Sequence, residues 1–302
     1  MTAARSLLRL ANGSFELKLC PSLGGAIVGF RWRRPGGADF ELLRPMDDSA
    51  LATGDVGESS CFPLTPFSNR LRAGRFTFGD TVVTMPRNVQ GEPHVEHGHG
   101  WQRPWTVDDT TADGATLLYT HAGDDWPYPY KMRQAFRLFP DQLEIVLSTR
   151  NTGDVAMPYG FGLHPYFPRT PQTTLAAQVS GMWETDDEVM PTRLLSAAEA
   201  PKLDTGLAVD RHALDNCFTG WNGRAEIRWP EHSAALSMTA GGPLTFLVVY
   251  SPAGAPYFCA EPVSNATDAF NLTAAGRTDT GMIVLEAGAT ITASVLLTPR
   301  SI

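Results

Sequence analysis

The chain has 302 residues, 43% of them hydrophobic, and carries 24 Lys plus Arg against 32 Asp plus Glu, for a net charge of −8. This acidic balance excludes the basic face that a nucleic-acid or membrane-surface protein needs. The apolar content suffices for a sizeable core, and no composition break or linker divides the chain, so a single domain over residues 1–302 is expected. The four cysteines, Cys20, Cys61, Cys217 and Cys259, are far apart and form no C-x-x-C pair, which excludes a zinc knuckle or redox motif and points to a reducing compartment. The apolar patch Leu7 to Leu10 is interrupted by Arg9 and is too short for a signal peptide or a membrane span. A cytoplasmic location follows as the expectation. The N-x-[ST] matches at Asn12, Asn265 and Asn271 then carry no meaning.

In chain order, Phe15-Glu16-Leu17-Lys18-Leu19 alternates apolar with polar, Pro21 and Gly24-Gly25 turn the chain, and Ala26 to Trp32 reads as the second strand of a hairpin. Gly74 to Met85 repeats the logic about a Gly79-Asp80 turn. The clearest hairpin starts at Lys131: Phe136 and Leu138 precede a Pro140-Asp141 turn, and Leu143, Ile145 and Leu147 alternate after it. Further strands are expected at Ala225 to Trp229, Ala235 to Met238, Leu244 to Val249, Tyr257 to Ala260, Gly281 to Leu285 and Ile291 to Leu297. Helical periodicity is confined to a short stretch near Ser196 to Ala200. Many short strands between Gly and Pro turns indicate an all-β chain, a large antiparallel β-sandwich whose loops carry the function.

Polar clusters interrupt these strands. Asn69-Arg70-Leu71-Arg72 offers guanidinium forks suited to hydroxyls or carboxylates, although an arginine beside a strand is more often simply solvated. The string HVEHGHGWQRPW gathers His94, His97, His99, Trp101 and Trp105. Three histidines this close could ligate a metal, with His97 and His99 on one face if the segment were a strand. Gly98 and Gly100 argue instead for a loop whose backbone approaches a ligand, and no Glu follows the H-x-H pair as in a cupin.

In Gly160 to Phe167, His164 stands before Pro165, which holds it out of the helical region at a strand end. Glu261 stands in the same relation to Pro262. Two groups able to move protons, each fixed before a proline, form a candidate acid and base. Asp215, in Leu214-Asp215-Asn216-Cys217-Phe218, is a further candidate, or else a turn-capping residue. No G-x-S-x-G elbow, P-loop or H-E-x-x-H is present.

Five strings in order, SNRLRAGRFTFGD, HGHGWQRPW, NTGDVAMPYGFGLHPYF, LDNCF and AEPVSNATDAFN, span nearly the whole chain and resemble the aldose 1-epimerase (mutarotase) family. The resemblance implies a sandwich of the galactose-mutarotase type, a sugar as the small-molecule partner, no cofactor and no metal. It also implies Glu261 as general base, His164 as general acid and His97 as the second active-site histidine. Arg70 and Asp215 match residues that bind sugar hydroxyls, with Asn69 beside them and Trp101 as an aromatic face for the sugar. His94 and His99 depart from the commonest pattern of the loop. Ring opening would need Glu261 ionised and a histidine protonated, and a nearby carboxylate would raise the pKa of His164. A hexose 6-phosphate epimerase, with Arg72 and Arg75 as the nearby cations, and a non-catalytic carbohydrate-binding protein are the alternatives. A metal-dependent enzyme built on His94, His97 and His99 comes third. Which aldose is preferred and how many chains assemble are not legible from the sequence.

Overall fold

A computed structural model describes residues 5–34 and 36–302. Two large antiparallel sheets dominate. The first, of 11 strands, runs in spatial order Leu8–Ala11, Phe15–Cys20, Ala26–Trp32, Cys61–Leu64, Gly162–Pro168, Tyr257–Val263, Phe246–Ser251, Leu214–Thr219, Gly181–Thr185 and Pro191–Ser196, with Phe40–Glu41 also paired to Ala26–Trp32. The second, of nine strands, runs Thr106–Thr110, Gly114–His121, Tyr130–Leu138, Leu143–Asn151, Thr290–Ser301, Ala234–Gly241, Arg224–Trp229, Thr174–Ala177 and Leu207–Ala208. The hairpin expected about Pro140-Asp141 is present, with Leu138 opposite Leu143. The Gly79-Asp80 hairpin forms its own two-stranded sheet. Of the strands expected in the last third, four run longer than expected, the terminal Thr290–Ser301 most of all because it pairs on both edges, whereas Phe246–Ser251 is shifted by two residues and Ile283–Leu285 is shorter.

One apolar cluster joins the facing sides of both sheets, with Leu17, Phe30, Phe167 and Phe258 from the first packed in the same core as Leu117, Leu147, Leu236 and Val295 from the second. A second cluster lies on the other face of the first sheet and includes Phe62, Trp101, Tyr166, Val248 and Cys259. The central strands of that sheet are therefore covered on both sides, which is why Gly162–Pro168 and Tyr257–Val263 are buried along nearly their whole length. Period-two alternation sends odd-numbered Leu163 and Phe167 into the sandwich and leaves His164 and Tyr166 on the outer face.

The helix sought near Ser196–Ala200 is a turn instead. There the Ala200 N–H donates to the Ser196 carbonyl at 3.0 Å and Glu199 Oε2 accepts from the Ser196 N–H and hydroxyl at 2.9 and 2.8 Å, a single capped turn that Pro201, with no N–H to donate, stops from growing into a helix. Among the described residues the α-helices are Asp48–Thr53 and Ala269–Ala274. Asp47 caps the first by accepting from the Ala50 N–H at 2.7 Å. Each is one and a half turns long, too short for a periodic signal to register.

Candidate active site

The site stands on five neighbouring strands of the first sheet. Pairing sets Phe62 opposite His164 and Glu261 opposite Val248, and the register between Gly162↔Val263 and Tyr166↔Cys259, carried across the gap, sets His164 opposite Glu261. Pro165 and Pro262 have no N–H to donate, and the paired positions of these two strands skip that stretch. Both proton-transfer residues thus lie inside their strands, not at strand ends as expected. The two prolines open the ladder locally while neighbouring strands hold its flanks. Asp215 also lies in a strand, Leu214–Thr219, opposite Tyr250, and caps no turn.

His164 Nε2 lies 3.3 Å from Glu261 Oε1, and both side chains are buried. The imidazole rests against Phe62 and Tyr166, each with its ring centroid 4.6 Å away. Burial pushes His164 down to about 3. Burial pushes Glu261 well above the ordinary carboxylate range, with Asp215 raising it further and Arg70 opposing. The expectation that a neighbouring carboxylate would raise His164 is overturned, because dehydration by the aromatic wall outweighs the attraction. Removing two charges from water costs more than their mutual attraction returns, so the pair holds a single proton between them and no net charge. His164 Nδ1 and Glu261 Oε2 are buried without hydrogen-bond partners.

The remaining groups arrive on loops laid over this face. Asn69 and His97 both have left-handed backbones, with φ of 61° and 57°. They lock together: the Asn69 N–H donates to His97 Nδ1 at 3.0 Å and the His97 N–H donates to the Asn69 carbonyl at 2.8 Å. With Nδ1 accepting, neutral His97 carries its proton on Nε2. Burial first, with neighbouring Arg70 adding to it, keeps His97 well below its usual range, so its Nε2–H is free to donate. Asn69 Oδ1 in turn accepts from the Arg70 N–H at 2.8 Å.

Arg70 Nε lies 3.1 Å from Glu96 Oε1, and Nη1 lies 3.6 Å from Asp215 Oδ2. Trp101 stacks on Phe62 at 5.1 Å and donates its indole N–H to the Glu96 carbonyl at 3.2 Å. The stretch after Glu261 backs up the Arg70 loop. The Asp268 N–H donates to the Arg70 carbonyl, and Asn265 Oδ1 accepts from the Ser68 N–H and hydroxyl.

His164, Glu261, Arg70, Asn69, His97, Asp215 and Trp101, all seven residues proposed from the sequence, line one open cleft. Glu92, Glu96, Tyr166, Tyr250 and Tyr257 border it as well and were missed. For Glu96 a signal existed, since it immediately precedes His97. For the tyrosines the alternation Tyr166/His164 was the only one, and it needs the face assignment.

The three loop histidines do not converge. His94 Nδ1 accepts from the Ala73 N–H, whereas His99 hydrogen-bonds the Tyr130 hydroxyl at 2.9 Å and stacks on His121 inside the fold. The left-handed turn at His97 and Gly98 is what parts His97 from His99. A Cβ on Gly98 would sit 2.3 Å from the Thr65 carbonyl oxygen, so its backbone closes on the protein rather than on a ligand. Among the described residues, the set whose donor atoms could share a cation is His164, Cys259 and Glu261, all within 4.8 Å of one another. All four cysteines are buried and unpaired.

The profile of a family described as Aldose 1-epimerase matches residues 6–298 of the chain. An uncharacterised protein of Escherichia coli K12, YphB, is 36% identical over 278 residues, covering 87% of this chain and 89% of that protein. A candidate aldose 1-epimerase of Escherichia coli K12 superposes with a TM-score of 0.87 at 31% identity over 98% of this chain and 99% of that one. A galactose mutarotase-like protein of Clostridium acetobutylicum gives a TM-score of 0.86 over 100% and 97% of the two chains at 18% identity, a likeness of fold. With the profile spanning both sheets, the Arg70 and His97 loops and the His164–Glu261 pair, the chain belongs to the aldose 1-epimerase family.

Proposed function

We propose that the protein is a cofactor-independent aldose 1-epimerase, interconverting the α and β anomers of a free sugar. The observation that carries this reading is the buried His164–Glu261 contact at 3.3 Å, opening into a cleft bordered by Arg70, Asn69, His97 and Asp215. In ring opening, Glu261 takes the proton of the C1 hydroxyl while His164 gives one to the ring oxygen. The C1–O5 bond breaks with its electron pair going to O5, and the C1 oxygen becomes the aldehyde carbonyl. Rotation about C1–C2 and the reverse proton transfers close the other anomer. Before and after opening the pair holds one proton, first on His164 and then on Glu261. A catalyst that never changes its net charge suits a buried site, where a lone charge would be costly.

Burial favours the form with the proton on Glu261. The ionised form needs help, and Arg70 supplies it, being the cation whose charge lowers Glu261. His97, a neutral donor fixed by Asn69, and Arg70, paired by charge with Glu96 and Asp215, orient hydroxyls, which is the part of catalysis that comes from positioning. Trp101 and the tyrosines offer apolar sugar faces a surface to rest on. A purely binding protein would use the same cleft but has no need for an acid and a base in contact at its floor. No helix among the described residues is long and apolar enough to cross a membrane, and four free cysteines suit the cytoplasm.

The test is polarimetry of freshly dissolved α-D-glucose and α-D-galactose, with and without the protein and beside Glu261→Gln. Acceleration by the wild type and not by the variant supports the reading, with roughly 10²- to 10⁴-fold at stake in the base. No acceleration with either sugar, alongside sugar-induced tryptophan quenching, would replace it with the binding-protein reading.

A further inference from the structure

The charges that border the cleft are unbalanced. Among the described residues Arg70 is its one cationic side chain, and it already faces Glu96 at 3.1 Å and Asp215 at 3.6 Å, ion pairs by distance in which Nε and Glu96 Oε1 are not aligned as a hydrogen bond. Glu92 borders the same wall, with no ion pair within 4.0 Å among the described residues. Burial raises both Asp215 and Glu96, Arg70 opposes it, and the charge of Glu92 adds to the rise. Other guanidinium groups nearby are committed elsewhere. Arg72 Nε lies 3.5 Å from Asp268, and Arg44 packs over the rings of Tyr166 and Tyr257 while donating to the carbonyls of Gly57 and Ser59. Glu261 Oε2, buried at the cleft floor with no hydrogen-bond partner, is an acceptor awaiting a donor.

We propose that this cleft selects aldoses by charge, admitting amino sugars at least as well as neutral ones and turning away aldose phosphates and uronates, with Glu92 the residue that sets the selection. The proposal rests on the reading of the cleft as a sugar site. An anionic substituent entering here meets carboxylates from Glu92, Glu96 and Asp215 and finds no uncommitted cation. An ammonium group meets the same carboxylates as partners. Like charges facing across a partly buried cleft are a strong means of rejection, because the low-dielectric walls focus the field. A single unpaired carboxylate at about 6 Å, with an effective dielectric near 40, shifts affinity for a unit charge by on the order of tenfold.

The experiment measures α/β exchange by NMR for galactose, galactosamine, galacturonate and galactose 6-phosphate, at a pH where the amine is protonated. It is run on wild type and Glu92→Gln, at low salt and at about 0.5 M salt, where surface fields are screened. The expected kcat/KM order at low salt is amino sugar at or above neutral sugar, with both anions at least about tenfold lower, and the gaps narrow in salt. In Glu92→Gln the ratio of anion to neutral sugar rises about tenfold. A ratio taken within one variant cancels any loss of folding or of overall activity. Anions turned over as well as galactose, or a ratio unchanged by Glu92→Gln, overturns the proposal. If no sugar is accelerated, the epimerase reading falls. The charge ranking is then read from dissociation constants by calorimetry, where the same order upholds the filter and equal affinities sink it.

Discussion

Replacing Glu261 by glutamine should change how stability depends on pH, in a direction fixed by the pair to which Glu261 belongs. In the folded chain, burial holds His164 down to about 3 and Glu261 well above 4.5, whereas the unfolded chain shows ordinary values near 6.5 and 4.5. Above pH 4.5, for as long as the folded chain keeps the Glu261 proton and the unfolded chain keeps that of His164, both states hold one proton on these two groups, so the pair adds no slope. Below pH 4.5 the unfolded chain gains a second proton that the folded pair refuses until near pH 3. Stability therefore falls as pH falls, by about 2 kcal/mol over that interval. Above pH 6.5 the unfolded chain loses its last proton while the folded pair keeps one. Stability then falls as pH rises, by about 1.4 kcal/mol per pH unit for as long as Glu261 stays protonated. In Glu261→Gln only the depressed His164 remains. The variant should lose stability on acidification from pH 6.5 instead of 4.5, and should lack the alkaline decline. Urea denaturation of both proteins across this range reads the difference directly. Parallel stability curves would refute the argument that burial leaves one proton on the pair.

Three further outcomes follow from the same geometry. The kcat/KM profile should show no acid limb at 6.5, where an isolated imidazole would place one, because the one-proton state extends down to about pH 3; an acid limb near 6.5 would contradict it. Phe62→Ala removes a ring stacked on both His164 and Trp101 and should cost about 3–5 kcal/mol in thermal or urea unfolding. By admitting water it should also bring His164 back toward its ordinary range, which an NMR titration of the imidazole would record. Arg70→Ala leaves Glu96 and Asp215 uncompensated and should lower kcat/KM by about 2–5 kcal/mol in transition-state terms, through KM by the lost hydroxyl contact and through kcat by the lost charge that lowers Glu261; an unchanged KM would remove Arg70 from substrate binding.

Much of the site could be read from the chain because its chemistry lies in short strings whose backbone demands are local. His164-Pro165 and Glu261-Pro262 announce two fixed groups, and the alternation around them announces strands. Their facing each other does not follow from the strings alone, because it depends on Gly162–Pro168 and Tyr257–Val263, almost a hundred residues apart, being neighbours in one sheet. The loop histidines were legible as a cluster but not as individuals. A left-handed turn at His97 and Gly98 sends adjacent imidazoles to opposite sides, and spacing cannot reveal that sign of φ.

The sequence by itself determined the class of fold, through period-two alternation between Gly and Pro turns, and it determined which residue types could move protons. Tertiary structure alone decided their protonation. A histidine beside a carboxylate would be charged in water, yet Phe62 and Tyr166, brought from a neighbouring strand and from two residues along the same one, exclude the water that would solvate that charge. Dehydration depends on everything that surrounds a group at once, and so it belongs to the folded protein and to no stretch of its sequence.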